Sequence, residues 1–187
     1  MKQFYEMTIA GMDCKLPVCK LNEELCIAGF VIFGQPELTV ACAGELLKKV
    51  PEYDVLITAE SKGIPLVHEM ARQNGDATYV VARKKTKLYM TDIHEVTVNS
   101  ITTVGEQKLY ISGDDVEKMR GKRVLIVDDV ISTGESLSAL EKLVESVDGN
   151  IVGSAAILAE GDAAKRDDII FLEPLPLLDK EGNPLPL

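Results

Sequence analysis

No stretch of the 187 residues approaches the roughly 18–20 consecutive apolar positions that a membrane helix needs, and the N-terminal MKQFYEMTIAG lacks the apolar core of a signal peptide. The expectation is a soluble, cytoplasmic protein with no membrane partner. Basic side chains are in short supply, 20 Lys and Arg against 30 Asp and Glu, for a formal charge of −10. Such a surface repels phosphate backbones, which argues against a general nucleic-acid binder and requires any phosphate site to be a local island of backbone N–H groups and a few cations. Histidine is scarcer still, only His68 and His94, and the cysteines, Cys14, Cys19, Cys26 and Cys42, crowd into the first quarter without the C-x2-C spacing of zinc pairs. Reduced thiols acting as small hydrophobes are expected. No GxxxxGK[ST] occurs, which excludes a P-loop nucleotidase.

What is present is a chain with 46% hydrophobic and 27% charged residues, enough to bury a real core as one domain over 1–187. Tyr53–Ala59, Ala77–Ala82, Arg123–Asp128 and Ile151–Leu158 are near-continuous apolar runs, the habit of parallel strands covered on both faces. Between them lie amphipathic helical stretches: Pro36–Val50 with Pro at its first turn, Ile64–Gln73 ended by Asn74-Gly75, and Glu135–Val147 stopping at Gly149. This alternation predicts an α/β fold: an open, mainly parallel twisted sheet flanked by helices. Residues 84–113 have no helical period but two alternating runs, Glu95–Thr103 and Lys108–Ser112, and read as an antiparallel flap hairpin standing off the sheet. Residues 173–187 hold four of the eight prolines and read as extended surface tail, and 1–35 forms a small N-terminal hood segment.

The densest chemical signal is Val124–Leu137, VLIVDDVISTGESL. A strand carries Asp128 and Asp129 to the carboxyl edge of the sheet, where open α/β folds bind ligands. The turn Ile131-Ser132-Thr133-Gly134-Glu135-Ser136 follows and opens a helix. Gly134 permits a close backbone approach, and the free N–H groups of the helix start with three hydroxyls can surround a phosphate. An acid pair beside a phosphate cradle suits a phosphorylated sugar, the carboxylates accepting ribose hydroxyl protons while the turn holds the 5′-phosphate. A response-regulator receiver begins with a similar strand, but too little chain remains beyond Val124 to build one.

Val124–Ser136 resembles the PRPP-binding motif of type I phosphoribosyltransferases, and the similarity extends over nearly the whole chain. Thr58-Ala59-Glu60-Ser61-Lys62-Gly63 sits where that family has its pyrophosphate loop, and Val81–Leu88, with Arg83, Lys84 and Lys87, resembles the Arg-Lys segment of the adenine and xanthine branch. The resemblance implies transfer of ribose 5-phosphate from PRPP to a purine, adenine or xanthine, with release of pyrophosphate. Within that scheme Asp128 and Asp129 are the catalytic pair and hold magnesium through its waters. Glu60, Ser61, Lys62, Gly63, Arg83, Lys84 and Lys87 form the pyrophosphate subsite. The base lies between the flap and Leu25–Gly34, with Ile27 and Phe30 against the ring. The flap covers the site, His94 and Glu95 within it are candidates for proton transfer, and the active unit is a homodimer. A PRPP-binding regulator without turnover, or a transferase for a non-purine acceptor such as orotate, are the alternative readings.

Overall fold

The computed structural model describes residues 2–99 and 106–187, with only the backbone described at 98, 99, 106 and 107. Its central sheet contains five parallel strands in the order β10-β9-β8-β4-β5. These are β4 (Val55–Ala59), β5 (Val80–Ala82), β8 (Arg123–Ile131), β9 (Asn150–Glu160) and β10 (Ile170–Leu175). The apolar runs become strands for the reason the pattern suggests. Every residue of β4 is buried, and Leu125, Val127, Ala155 and Ile157 face one layer while Val124, Ile126 and Ala156 face the other.

On the first face lie helices α1 (Pro36–Leu47) and α2 (Ile64–Asn74) and a four-stranded antiparallel sheet. That sheet runs β1-β2-β3-β11, built from β1 (Phe4–Ile9), β2 (Met12–Lys20), β3 (Leu25–Ala28) and β11 (Leu178–Asp179). On the other face lie α3 (Gly113–Met119) and α4 (Glu135–Ser146), together with the base of a hairpin formed by β6 (His94–Asn99) and β7 (Glu106–Ile111). The helices end as their sequences dictate: α1 starts on Pro36, and α2 stops at Gly75 in the left-handed region at φ +79°.

Two expectations need correction. The segment 173–187 is not surface chain throughout: it supplies the end of β10 and all of β11, and Leu175 and Leu178 are buried. Pro174 is tolerated there because β10 is an edge strand, where a missing N–H costs no ladder bond. The hairpin pairs antiparallel in the expected way, yet its base does not stand off the sheet. Leu109 and Ile111 enter the core, and Arg83 and Tyr110 exchange backbone hydrogen bonds of 2.8 Å each way. The expected turn around Val104-Gly105 lies outside the described residues. Cys26 and Cys42 are buried and Cys14 half-buried, all three as free thiols beside the exposed, free Cys19; burial pushes the Cys42 thiol up to about 12. No helix among the described residues is long and apolar enough to cross a membrane.

Candidate active site

Pairing between β4 and β8 stops at Ile57 and Ile126, so the last five residues of β8 stay paired with β9 on one side and on the other run past the end of that pairing, toward the loop that follows β4. Asp128 is opposite that loop. Its Oδ1 accepts the Asp129 N–H at 2.9 Å and the Ser61 hydroxyl at 3.3 Å. Burial, reinforced by the neighbouring Asp129 carboxylate, raises the Asp128 carboxyl from its ordinary range to about 7.

The two acids do not stand side by side. Strand alternation sends Asp128 to the face of Val124 and Ile126, and Asp129 to the face of Leu125 and Val127, where it is 4% exposed. Lys62 closes that second side. Its ammonium donates to the Phe30 carbonyl at 2.7 Å and lies 3.0 Å from Asp129 Oδ2, an ion pair off the line of a hydrogen bond. Lys62 therefore points at the hood and at Asp129, not outward from its loop.

The loop that brings Ser61 and Lys62 here depends on Gly63. A Cβ at this position would lie 2.6 Å from Thr58 Oγ1 and 3.2 Å from Asp128 Oδ1, so only glycine lets the start of α2 approach β8. Gly63→Ala is expected to force the loop off Asp128, lowering the melting temperature by about 5 °C, the shift expected of a 1–3 kcal/mol overpacking cost. A thermal melt equal to that of the parent would rule out this close approach.

A second group forms around Glu60. Its Oε1 lies 3.2 Å from both Arg83 Nη1 and Lys87 Nζ, and its Oε2 accepts the Lys84 N–H at 3.1 Å. The Lys84 N–H bond, then the Lys87 ammonium, hold the Glu60 carboxyl below the usual range. The Lys84 side chain itself is exposed.

Beyond Asp129, β8 ends at buried Ile131, and Ser132 and Thr133 form an exposed bend. Gly134 follows at φ +81°, and α4 begins at Glu135 with Ser136 exposed in its first turn. The left-handed Gly134 leads straight into α4 with no side chain capping its first amides, and free amides at a helix start are the groups that receive an anion. Sequence reasoning missed Arg166 here. Its Nε and Nη2 are taken by Asp168 at 2.8 and 2.7 Å, and its Nη1 lies 2.9 Å from where a Gly134 Cβ would stand. An Arg 32 residues downstream carries no local signal for this turn; only the parallel return through β9 brings it there.

Several expected residues fall elsewhere. Phe30 is 3% exposed and belongs to the core, a correction to its ring-contacting role; the exposed apolar side chains of that segment are Val31 and Phe33. Ile27 is half-buried on β3. His94 Nε2 is 2.9 Å from Ser146 Oγ, at the end of α4 remote from Gly134, and Glu95 pairs with Lys108, so neither reaches Asp128. His68 contacts Tyr79 on the outer side of α2. A cavity of about 580 Å³ there, between α2, β5 and Tyr89–Met90, touches the site only through Arg83.

Among the described residues no three metal-ligating side chains converge. The donor set is one approachable carboxylate and one already paired with Lys62, which fits an ion that keeps most of its waters and takes its remaining ligands from phosphates. Magnesium behaves this way.

Comparison with known proteins bears on the family and the fold. Residues 36–180 match the family described as "Phosphoribosyl transferase domain". A hypoxanthine/guanine phosphoribosyltransferase of Methanococcus voltae is 38% identical over 113 residues, 60% of this chain and 56% of that protein, so the match spans little more than half the relative's length. A xanthine phosphoribosyltransferase of Clostridioides difficile is 29% identical over 184 residues, covering 95% of this chain and 92% of the relative. The crystal structure of an adenine phosphoribosyltransferase from Thermoanaerobacter pseudethanolicus superposes with a TM-score of 0.64 at 21% identity, over 92% of this chain and 95% of that one; at that identity the likeness speaks for the fold.

Proposed function

We propose that this chain, which belongs to the phosphoribosyl transferase domain family, is a purine phosphoribosyltransferase: it moves ribose 5-phosphate from PRPP onto a purine and releases pyrophosphate, a step of purine salvage in the cytoplasm. The observation that carries the reading is the place of Asp128, an ionisable carboxylate that accepts the Ser61 hydroxyl of the loop at 60–63 and stands on the strand that leads into the turn at 132–136.

In this reading the amides and hydroxyls of Ser132–Ser136 hold the 5′-phosphate, and Arg166 Nη1 adds a charge that the acidic surface otherwise withholds. Asp128 faces the ribose hydroxyls, while Asp129 fixes Lys62 and through it the hood. The C1–O bond to pyrophosphate breaks with its electron pair leaving on the pyrophosphate, and a lone pair of the base nitrogen forms the new C1–N bond. Positive charge that builds on the ribose during this exchange is stabilised by the Asp128 carboxylate, and Arg83 and Lys87 take up the charge on the departing oxygens. A magnesium ion would be held through its waters by Asp128, since Asp129 is buried on the opposite face against Lys62, and it would neutralise phosphate charge. The purine lies against Val31 and Phe33, whose apolar side chains are exposed beside the Lys62–Phe30 tie. Leu88 and Tyr89, fully and largely exposed next to the β5 edge, give apolar surface to a second copy, and we extend the proposal to a homodimer.

Incubation with PRPP and magnesium against adenine, xanthine, hypoxanthine, guanine and orotate, with pyrophosphate as the readout, tests the reading. Release with at least one purine and none with orotate is expected. Release with orotate alone, or binding of PRPP without release with any base, would replace it with one of the other acceptor or regulator functions.

A further inference from the structure

Glu60 is an acid in the middle of a cation cluster that the proposed reaction needs for an anion. Its two carboxylate oxygens are met by Arg83 Nη1, Lys87 Nζ and the Lys84 N–H at 3.1–3.2 Å. Two cations and a backbone amide converging on one oxyanion are the components of a phosphate cradle. The carboxylate is the same kind of ligand as a phosphate oxygen pair, and it comes from the chain itself.

The cluster is also held firmly enough to wait for a ligand. The Glu60 N–H donates to the Ala82 carbonyl at 2.8 Å, tying the loop to β5, and Arg83 is stitched by its own backbone to Tyr110 of the hairpin. The side chains involved are 28–35% exposed, so an incoming anion can reach them from solvent without unfolding anything.

We infer that Glu60 is an internal stand-in for pyrophosphate: a positioning residue that keeps Arg83 and Lys87 assembled in the free protein and must be displaced from them when the diphosphate of substrate or product enters. Resting on the transferase reading, this inference assigns Glu60 a role opposite in sign to that of a direct ligand. A direct ligand, for example one that holds a metal on the diphosphate, strengthens binding. A stand-in weakens it, because the contacts that pyrophosphate gains are ones Glu60 loses.

The displaced contacts are two ion pairs at partly exposed positions, each of modest strength in water. Glu60→Gln keeps the length and an acceptor oxygen but loses the charge. It is expected to bind inorganic pyrophosphate about fivefold more tightly by calorimetry, with and without magnesium, and to lower KM for PRPP by a similar factor while kcat falls as product leaves more slowly. Glu60→Asp, shorter but charged, should fall between the parent and Glu60→Gln. Glu60→Ala gives a second charge-free variant whose tightening must agree. A merely structural role would change melting temperature and leave this KM-against-kcat split absent. Unchanged or weaker pyrophosphate binding in both charge-free variants, with the parent binding normally, overturns the inference alone. A parent protein that fails to bind pyrophosphate at all overturns the transferase reading with it.

Discussion

Asp128→Asn is expected to stabilise the protein at pH 8 while reducing the rate of transfer by about 10²–10³-fold, the range found when a group that stabilises transition-state charge is removed. Burial, and next the Asp129 carboxylate, hold the Asp128 carboxyl at about 7, far above its unfolded value. Between those two values the folded chain binds a proton that the unfolded chain has released, so stability declines as pH rises through that window. At pH 8 the folded protein carries the full cost of an ionised, largely desolvated Asp128. Asparagine removes that cost and keeps an oxygen to accept the Ser61 hydroxyl and the Asp129 N–H. A gain of about 1–2 kcal/mol, or roughly 3–6 °C for a chain of this size, should appear at pH 8 and shrink toward pH 5, where both proteins are neutral at this position. Melting curves at the two pH values, with pyrophosphate release measured alongside, check both halves. Equal melting at pH 8, or transfer at the parental rate, would contradict the assignment. The same proton links binding to pH: PRPP should bind more tightly as pH rises from 6 to 8, because the ligand's partner is the ionised form.

Lys62→Met has the largest expected effect on stability. It leaves Asp129, 5% exposed at its side chain, with its counter-charge gone, and it cuts the tether to the Phe30 carbonyl. Breaking a buried pair by removing one partner costs several kcal/mol; because Lys62 itself is 39% exposed and water can reach its end of the pair, about 2 kcal/mol is the appropriate scale, a fall of roughly 4–8 °C. Asp129→Asn in the same chain should restore most of the loss, since no buried charge then lacks a partner. A double-mutant cycle of melting temperatures reads the coupling directly. Strictly additive losses would mean that the two side chains are neighbours without being an ion pair that holds the hood.

The layout of the sheet was open to reading because β4, β8 and β9 are buried on both faces and so must be apolar along their length. The position of Gly134 was equally legible, since a left-handed residue before a helix leaves few choices other than glycine. The motif Asp128-Asp129 announced a site but not its geometry: adjacency in a strand means opposite faces, and the partners that distinguish the two acids, Ser61 and Lys62, come from 67 residues earlier. Phe30 misled because apolar residues beside a site look like ring contacts, whereas the irregular chain after β3 buries Phe30 and leaves Val31 and Phe33 exposed. Leu175 and Leu178, placed among prolines, looked like tail; the prolines are compatible with an edge strand and a short bridge, and the leucines between them are what the core takes. Arg166 and the Glu60 cluster are products of tertiary return and had no local pattern to betray them.

The strand β11 has a consequence for how the molecule is made. The antiparallel sheet opens the chain, yet its outer member is supplied by Leu178 and Asp179, which pair with Cys26 and Leu25. During synthesis the hairpin of β1 and β2 can zip as soon as it leaves the ribosome, but β3 must wait with an unpaired edge while some 150 further residues emerge. Contacts that distant in sequence form slowly. The antiparallel sheet is therefore completed last, and a chain cut short after Leu175 would keep its parallel sheet and lose the strand that covers the β3 edge.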